Sequence, residues 1–254
     1  MPDAVSQQAP PRQAPPRRRA PRGRGAELRG ELLQAATDLL TETGDVDAVS
    51  VRAVAQRVGV SVPSLYLHFA DKQALIDAVC EVVFEQLHQA MRQAAELATD
   101  PFEAMRAQGN AYVHFALAHP EQYRITMMTE HDGGELDVDR LVASGAFGYL
   151  VESVHECIAA GVFDSDPVET ALGLWAAAHG VAALLVAKPY FPWPADVTAF
   201  VDRTICMAGM GLAVNARIPV DSAMPLPELV TLLDGLRGRA LPASRRGPAP
   251  GSAR

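Results

Sequence analysis

The stretch from Ser50 to Leu75, SVRAVAQRVGVSVPSLYLHFADKQAL, limits the possible folds of this chain more than any other. It packs two helix starts and one helix stop into a short space, and so predicts two short helices about a tight turn, followed by a longer helix. The Ser50 hydroxyl suits an N-cap, and Val51, Val54, Ala55 and Val58 recur at a spacing that places them on one buried face. Gly59 ends that helix, because the residue past a helix C-terminus often needs a positive φ, which glycine adopts without a Cβ clash. Ser61 offers a second N-cap, and Pro63 is tolerated in the first turn, where its missing amide had no helical partner. The second helix is expected to run about two turns, to Leu67, with Leu65 and Phe69 inward and Val62, Ser64, Tyr66 and His68 outward.

A helix-turn-helix of this kind sets the N-terminal residues of its second helix against base edges in the DNA major groove, while the first helix crosses the phosphate backbone. A unit that served only for packing would not need a glycine, two serine caps, an arginine and a lysine around one exposed face. Position for position, S50-x-R52-x-V54-A55-x-x-x-G59-V60-S61-x-x-x-L65-Y66-x-H68-F69-x-D71-K72-x-x-L75 resembles the DNA-binding signature of the TetR family of transcriptional repressors. The resemblance is close over about residues 26 to 75. It implies that Arg52 and Lys72 contact phosphates, that Ser61, Pro63 and Ser64 face the groove, and that Tyr66 and His68 reach the backbone, and Ser50 and Val62 are counted with these DNA-binding residues.

Charge is distributed in keeping with a nucleic-acid partner even though the total is −8. Residues 1 to 30 carry seven arginines against Asp3 and Glu27, a surplus of five, so the remainder carries −13. Residues 1 to 25, rich in Pro, Gln, Ala and Arg, are expected to form a disordered basic arm. Arg22 and Arg24 would enter the minor groove beside the operator, or else the arm serves only solubility. An acidic body behind a basic arm helps orient the approach to DNA. The arm has no apolar run of the kind a secretory signal requires, and the three cysteines, Cys80, Cys157 and Cys206, have no metal or disulfide spacing. The expected location is the cytosol.

Beyond the arm the pattern is helical throughout, and the expected fold is all-α. A DNA-binding head spans residues 26 to 72, a larger ligand-binding and dimerisation domain 73 to 237, and a disordered tail 238 to 254. Leu28, Leu32, Ala35, Ala36, Leu39 and Leu40 give a helix ended by Gly44, and Asp71 caps a long helix reaching about Leu97. Helices are expected from Pro101 to Ala118, at His119 to Tyr123, from Val138 to Ala160 after the polar loop EHDGGE at 130 to 135, from Val168 to Ala187, and from Asp196 to Asn215. A short one from Leu226 to Leu236 is also expected. The uncharged run Ala171 to Ala187 is shorter than a membrane span and contains His179, so it reads as a buried helix and no membrane partner is expected.

That helix has two faces. Trp175, His179, Ala182 and Val186 line one, while Gly173, Ala177, Gly180 and Leu184 line the other with mostly small side chains. The last long helix repeats the theme at Ala208 and Gly209. Two adjacent apolar helices with more apolar surface than one core hides suggest a four-helix bundle between two protomers, hence a homodimer. Resemblance implies the same, because proteins with a TetR head dimerise through their last two helices, and W175-A-A-A-H179-G180 resembles the Trp-His-Gly motif of one class of TetR C-terminal domains.

No HExxH, GxGxxG, GxxxxGK or GxSxG occurs, so neither a metal, a cofactor nor a catalytic residue is expected. Met105, Tyr112, Phe115, Met127, Phe147, Trp175 and His179 are the large or polarisable side chains between the head and the expected seam, and the resemblance implies a cavity there for an apolar small-molecule effector. The sequence therefore reads as a homodimeric regulator of a palindromic double-stranded operator, released by ligand. An architectural DNA-binding protein without a ligand, or an enzyme on a helical scaffold, are the alternatives.

Overall fold

The computed structural model describes residues 24–128 and 145–215, with isolated positions between 225 and 235. Among these residues every regular element is a helix: α1 (Arg24–Thr43), α2 (Val51–Val58), α3 (Val62–Leu65), α4 (Lys72–Ala95), α5 (Pro101–Ala118), α6 (Pro120–Met127), α7 (Gly145–Ala159), α8 (Pro167–Ala187) and α9 (Val197–Asn215). The chain is all-α, as its patterning required. The expectations for residues 1 to 23, for the loop at 130 to 135, for the helix start at Val138 and for the tail lie outside the described residues.

Two compact units divide the chain. Met1–Gln89 and Phe115–Glu135 make up the first, Ala90–His114 and Leu136–Arg254 the second. The first unit extends past residue 72 because α4 continues its core: Leu75, Ile76, Val79, Cys80 and Val83 cluster with Leu32, Ala36 and Leu40 of α1, Val54 and Ala55 of α2, Leu65, Phe69, and Ile125 of α6. Burying each Leu, Ile, Val or Phe side chain of this set contributes about 1.5–3 kcal/mol. Gly44, at φ +64, ends α1, and Glu42 in its last turn makes a two-pronged ion pair with Arg57 of α2 at 2.5 and 2.7 Å. The Arg29 guanidinium lies 5.1 Å from the centre of the Phe69 ring, which fastens α1 to the chain just past α3.

In the second unit, Met105 of α5 packs with Phe147, Leu150, Val151, Val154 and Cys157 of α7, Phe163, and Ala171 and Leu174 of α8. Asp166 caps α8 by accepting the Glu169 amide at 2.8 Å, and α8 packs against both α7 and α9. Helix α5 meets α9 closely at Gly109, where a Cβ would stand 2.8 Å from Ile205. Beside that crossing Arg106 donates to both carboxylate oxygens of Asp202, at 2.8 and 2.5 Å, and Asn110 donates to the same group at 3.0 Å.

The small-residue seam expected on α8 and α9 divides into two kinds of position. Gly209 is buried and faces its own protomer, since a Cβ there would come within 3.2 Å of both Phe102 and Met105. Gly173 is exposed, with Leu212 of α9 at an ordinary contact distance of 3.6 Å from its Cβ position. A Cβ on Gly180, by contrast, would meet nothing within 4 Å, and Leu184 is 55% exposed. Ala177 and Ala208 are half-buried. Leu172, Met207 and Met210 add to the uncovered apolar surface, with Met207 65% exposed. By length and composition alone, α8 and α9 are apolar enough to cross a membrane.

Candidate nucleic-acid interface and ligand site

Local signals build the first site. Ser50 accepts the Ala53 amide at 3.1 Å and so starts α2. Gly59 ends it at φ +76, where an L side chain would be strained. The turn delivers the chain into α3, which is a single turn of four residues and shorter than the two turns expected. Leu65 is fully buried, and from it the chain tightens: its carbonyl accepts both the His68 amide at 2.8 Å and the Phe69 amide at 3.1 Å. This bifurcation leads Phe69 into the core and ends the helix early.

Around those two anchors Ser61 and Pro63 are exposed, Ser64 and His68 half-exposed, and Tyr66 51% exposed. The Ser61 hydroxyl makes no backbone cap and instead bonds that of Ser64 at 2.8 Å, so the two serines form a polar pair on the outer side of α3. Val62, expected outward, is half-buried and packs against the head core, because a four-residue turn followed by a tight bend leaves it beside the buried face. Arg52 is exposed on α2. Lys72, at the start of α4, is held by Asp47 at 3.3 Å. Arg24 is the first residue of α1 rather than part of an arm, and Arg22 lies outside the described residues. Sequence reasoning passed over Leu67, which is 85% exposed beside Tyr66 and adds an apolar tip to the same surface. Its signal was its place between an outward and a half-outward residue, in a run whose inward anchors were already assigned.

The second site lies in the second unit. Five of the seven expected ligand-site residues come together there: Met105 and Tyr112 on α5, Phe147 on α7, and Trp175 and His179 on α8. The Tyr112 hydroxyl meets His179 Nδ1 at 3.0 Å, Trp175 stands 5.4 Å from the His179 ring, and Phe147 approaches Trp175 edge-on at 6.3 Å. Burial holds the His179 imidazole below its ordinary pKa, favouring the neutral ring. Phe115 and Met127 fall in the first unit, where Phe115 packs against the head core and its ring lies 4.8 Å from His119. The polar residues that sequence reasoning missed are Gln108 and Ser153, both buried, with Gln108 Nε2 donating to Ser153 Oγ at 2.6 Å. A glutamine between Met105 and Tyr112 on one helical face was the available signal.

Among the described residues no group of three His, Cys, Asp or Glu side chains could hold a metal ion. The Cys80 and Cys157 thiols are buried and pushed up to about 11, which removes the thiolate that a nucleophile needs.

Residues 32–79 match the sequence family described as bacterial regulatory proteins, tetR family, and residues 105–208 match the tetracyclin repressor-like C-terminal domain. The chain belongs to the TetR family. Among its relatives, the class A tetracycline repressor from transposon 1721 of Escherichia coli is 46% identical over 57 residues, 22% of this chain and 26% of that protein. The transcriptional activator FasR of Mycolicibacterium smegmatis is 33% identical over 103 residues, 41% of this chain and 47% of FasR. The chain thus spans less than half of either relative. A solved structure of unknown function from Rhodococcus sp. RHA1 is 32% identical with a TM-score of 0.61, covering 74% of this chain and 95% of that one. The TetR-type head coincides with the region where Ser50, Gly59, Leu65 and Phe69 fix α2 and α3, and the C-terminal match takes in Met105, Gln108, Tyr112, Trp175 and His179.

Proposed function

We propose that this TetR-family chain is a homodimeric, cytosolic repressor that binds a palindromic DNA operator through α2 and α3 and leaves it when an apolar small molecule binds the second unit. The observation that carries the reading is the exposed surface of Ser61, Pro63, Ser64 and Tyr66, set on the buried anchors Leu65 and Phe69. Small polar side chains on a rigid turn allow close approach to base edges, and Arg52 and Lys72 supply phosphate contacts to either side. The uncovered apolar side chains Leu172, Leu184, Met207 and Met210 support a second copy as partner, since two helices from each protomer would bury them in a four-helix seam. Gly173, Gly180 and Leu184 remain seam candidates, with Ala177 and Ala208 at its edge. Arg22, with the other arginines of the arm, adds charge for the minor groove.

For a ligand to release the operator it must bind the DNA-incompetent form better, since equal affinity for both forms shifts nothing. The Tyr112–His179–Trp175–Phe147 cluster supports a ligand site with few polar groups in an apolar wall. An activator is the second reading, because FasR, 33% identical over 103 residues, carries that description. Selection of bound fragments from a random DNA pool, followed by transcription from a promoter carrying the selected site, tests the proposal. A palindromic consensus with repressed transcription supports it. Binding without sequence preference overturns it in favour of an architectural role, and raised transcription selects the activator.

A further inference from the structure

Met105, Gln108 and Tyr112 are three and four residues apart on α5 and therefore share one face, and all three are buried. Met105 enters the apolar cluster with Phe147 and Leu174, and Tyr112 reaches His179. Between them Gln108, only 1% exposed, spends its amide Nε2 on Ser153 Oγ. The Ser153 hydroxyl has a single proton, which it donates to the Tyr149 carbonyl at 3.1 Å, so towards Gln108 it can only accept. This fixes the orientation of the amide. Its Oε1 is buried with no hydrogen-bond partner. Such an acceptor in an apolar wall is unfavourable unless a donor comes to it.

We infer that Gln108 Oε1 selects the effector: an uncharged, largely apolar molecule carrying a hydroxyl or N–H donor. The inference rests on the proposal that the second unit binds a small molecule, and adds which chemistry it accepts. A molecule of the same shape that only accepts hydrogen bonds leaves Oε1 unsatisfied. A carboxylate fares worse, since it brings negative charge to a carbonyl oxygen and loses its own hydration.

The test uses the full-length protein and three probes of one chain length: decan-1-ol, its methyl ether and decanoate. Calorimetric titration of the wild type should give an affinity for the alcohol about tenfold above that for the ether, the effect of one buried acceptor satisfied or not, with decanoate weakest. Gln108→Met should bring the alcohol down to the level of the ether and leave the ether unchanged. It should also melt, without probe, at or above the wild-type temperature, because an unsatisfied group has gone; a glutamine satisfied by a buried water would make this variant melt lower and overturn the inference. Ser153→Ala, which frees the amide to turn either way, should bind alcohol and ether alike while folding normally. Equal affinities in the wild type, or an alcohol preference retained in both variants, overturn the role of Gln108 but leave the effector reading standing. Failure of all three probes to bind removes both.

Discussion

Helices α3 and α8 expose functional surface in opposite ways. The first is four residues long and is held from below by Leu65 and Phe69, with Val62 beside the core and Pro63 and Ser64 turned outward. The second has twenty-one residues, apolar almost all round, and even after packing on α7 and α9 it leaves Leu184 uncovered. In α3 the buried anchor Leu65 and the exposed Pro63 follow from a turn that the Ser50 cap and Gly59 set. In α8 the composition says only that surface must be covered, and neighbouring elements decide which part.

The largest effect should come from removing the support of the short element. Leu65→Ala leaves a cavity under α3 and should destabilise the protein by about 2–5 kcal/mol, as deletion of a fully buried leucine does. Leu184→Ala, at a position of α8 that is exposed in the single chain, should change the urea stability of the dissociated protomer by no more than about 0.5 kcal/mol and act on association instead. Equal losses in urea melts of the two variants would end the contrast. Next in size is the glycine pair. Gly209→Leu collides with Phe102 and Met105 inside its own protomer and should lower the melting temperature, at a cost of about 1–3 kcal/mol or more. Gly180→Leu, where nothing lies within 4 Å, should leave the protomer stable and shift only its association, as read by sedimentation at low concentration. A stable Gly209→Leu protein would return that glycine to the proposed dimer face.

These differences also explain what could be read from the chain beforehand. Ser50, Gly59 and Asp71 each announced a helix boundary, because their hydrogen-bonding or φ requirement is local and independent of what packs later. Leu65 and Phe69 followed from those boundaries. The length of α3 did not, since its early end depends on the bifurcated bond at the Leu65 carbonyl, and with it went the orientation of Val62. On α9 the same small-residue theme held two meanings. Gly209 makes room for Phe102 of the same chain, and no periodicity distinguishes that from room for a second copy. Phe115 and Met127 group with Trp175 by size, polarisability and the cavity that the resemblance implies, although the continuation of the head core along α4 and into α6 places them in the other unit. Gln108 went unremarked because one glutamine on an apolar helix looks like surface until its partner Ser153 is known.

A smaller effect separates the two cations beside α3. Arg52→Ala and Lys72→Ala should each reduce the slope of log affinity against log salt by about 0.9, the amount associated with one phosphate contact. Lys72 must first leave Asp47, but an exposed pair of this kind is worth only about 0–1 kcal/mol. Asp47→Asn should therefore tighten DNA binding slightly at low salt, while leaving the slope set by Lys72 in place. If Lys72→Ala left the slope unchanged, the lysine would serve only to fasten α4 to the loop before α2.

The smallest effect belongs to His179, and it runs with pH. Burial lowers its folded-state pKa below the ordinary value of 6.5, so between the two values the unfolded chain binds more protons than the folded one. Stability is then fully present above about 6.5 and declines as the pH falls through the lowered value. In the protonated ring Nδ1 carries a hydrogen, so the Tyr112 hydroxyl 3.0 Å away can only accept there. His179→Gln keeps a polar partner for Tyr112 without a titrating ring. Thermal melts of the two proteins should run parallel above neutrality and diverge on acidification, with the wild type losing stability faster. Parallel curves down to mildly acidic pH would mean that the ring reaches water in the folded state, and that this part of α8 is open where the Tyr112 contact implies a closed wall.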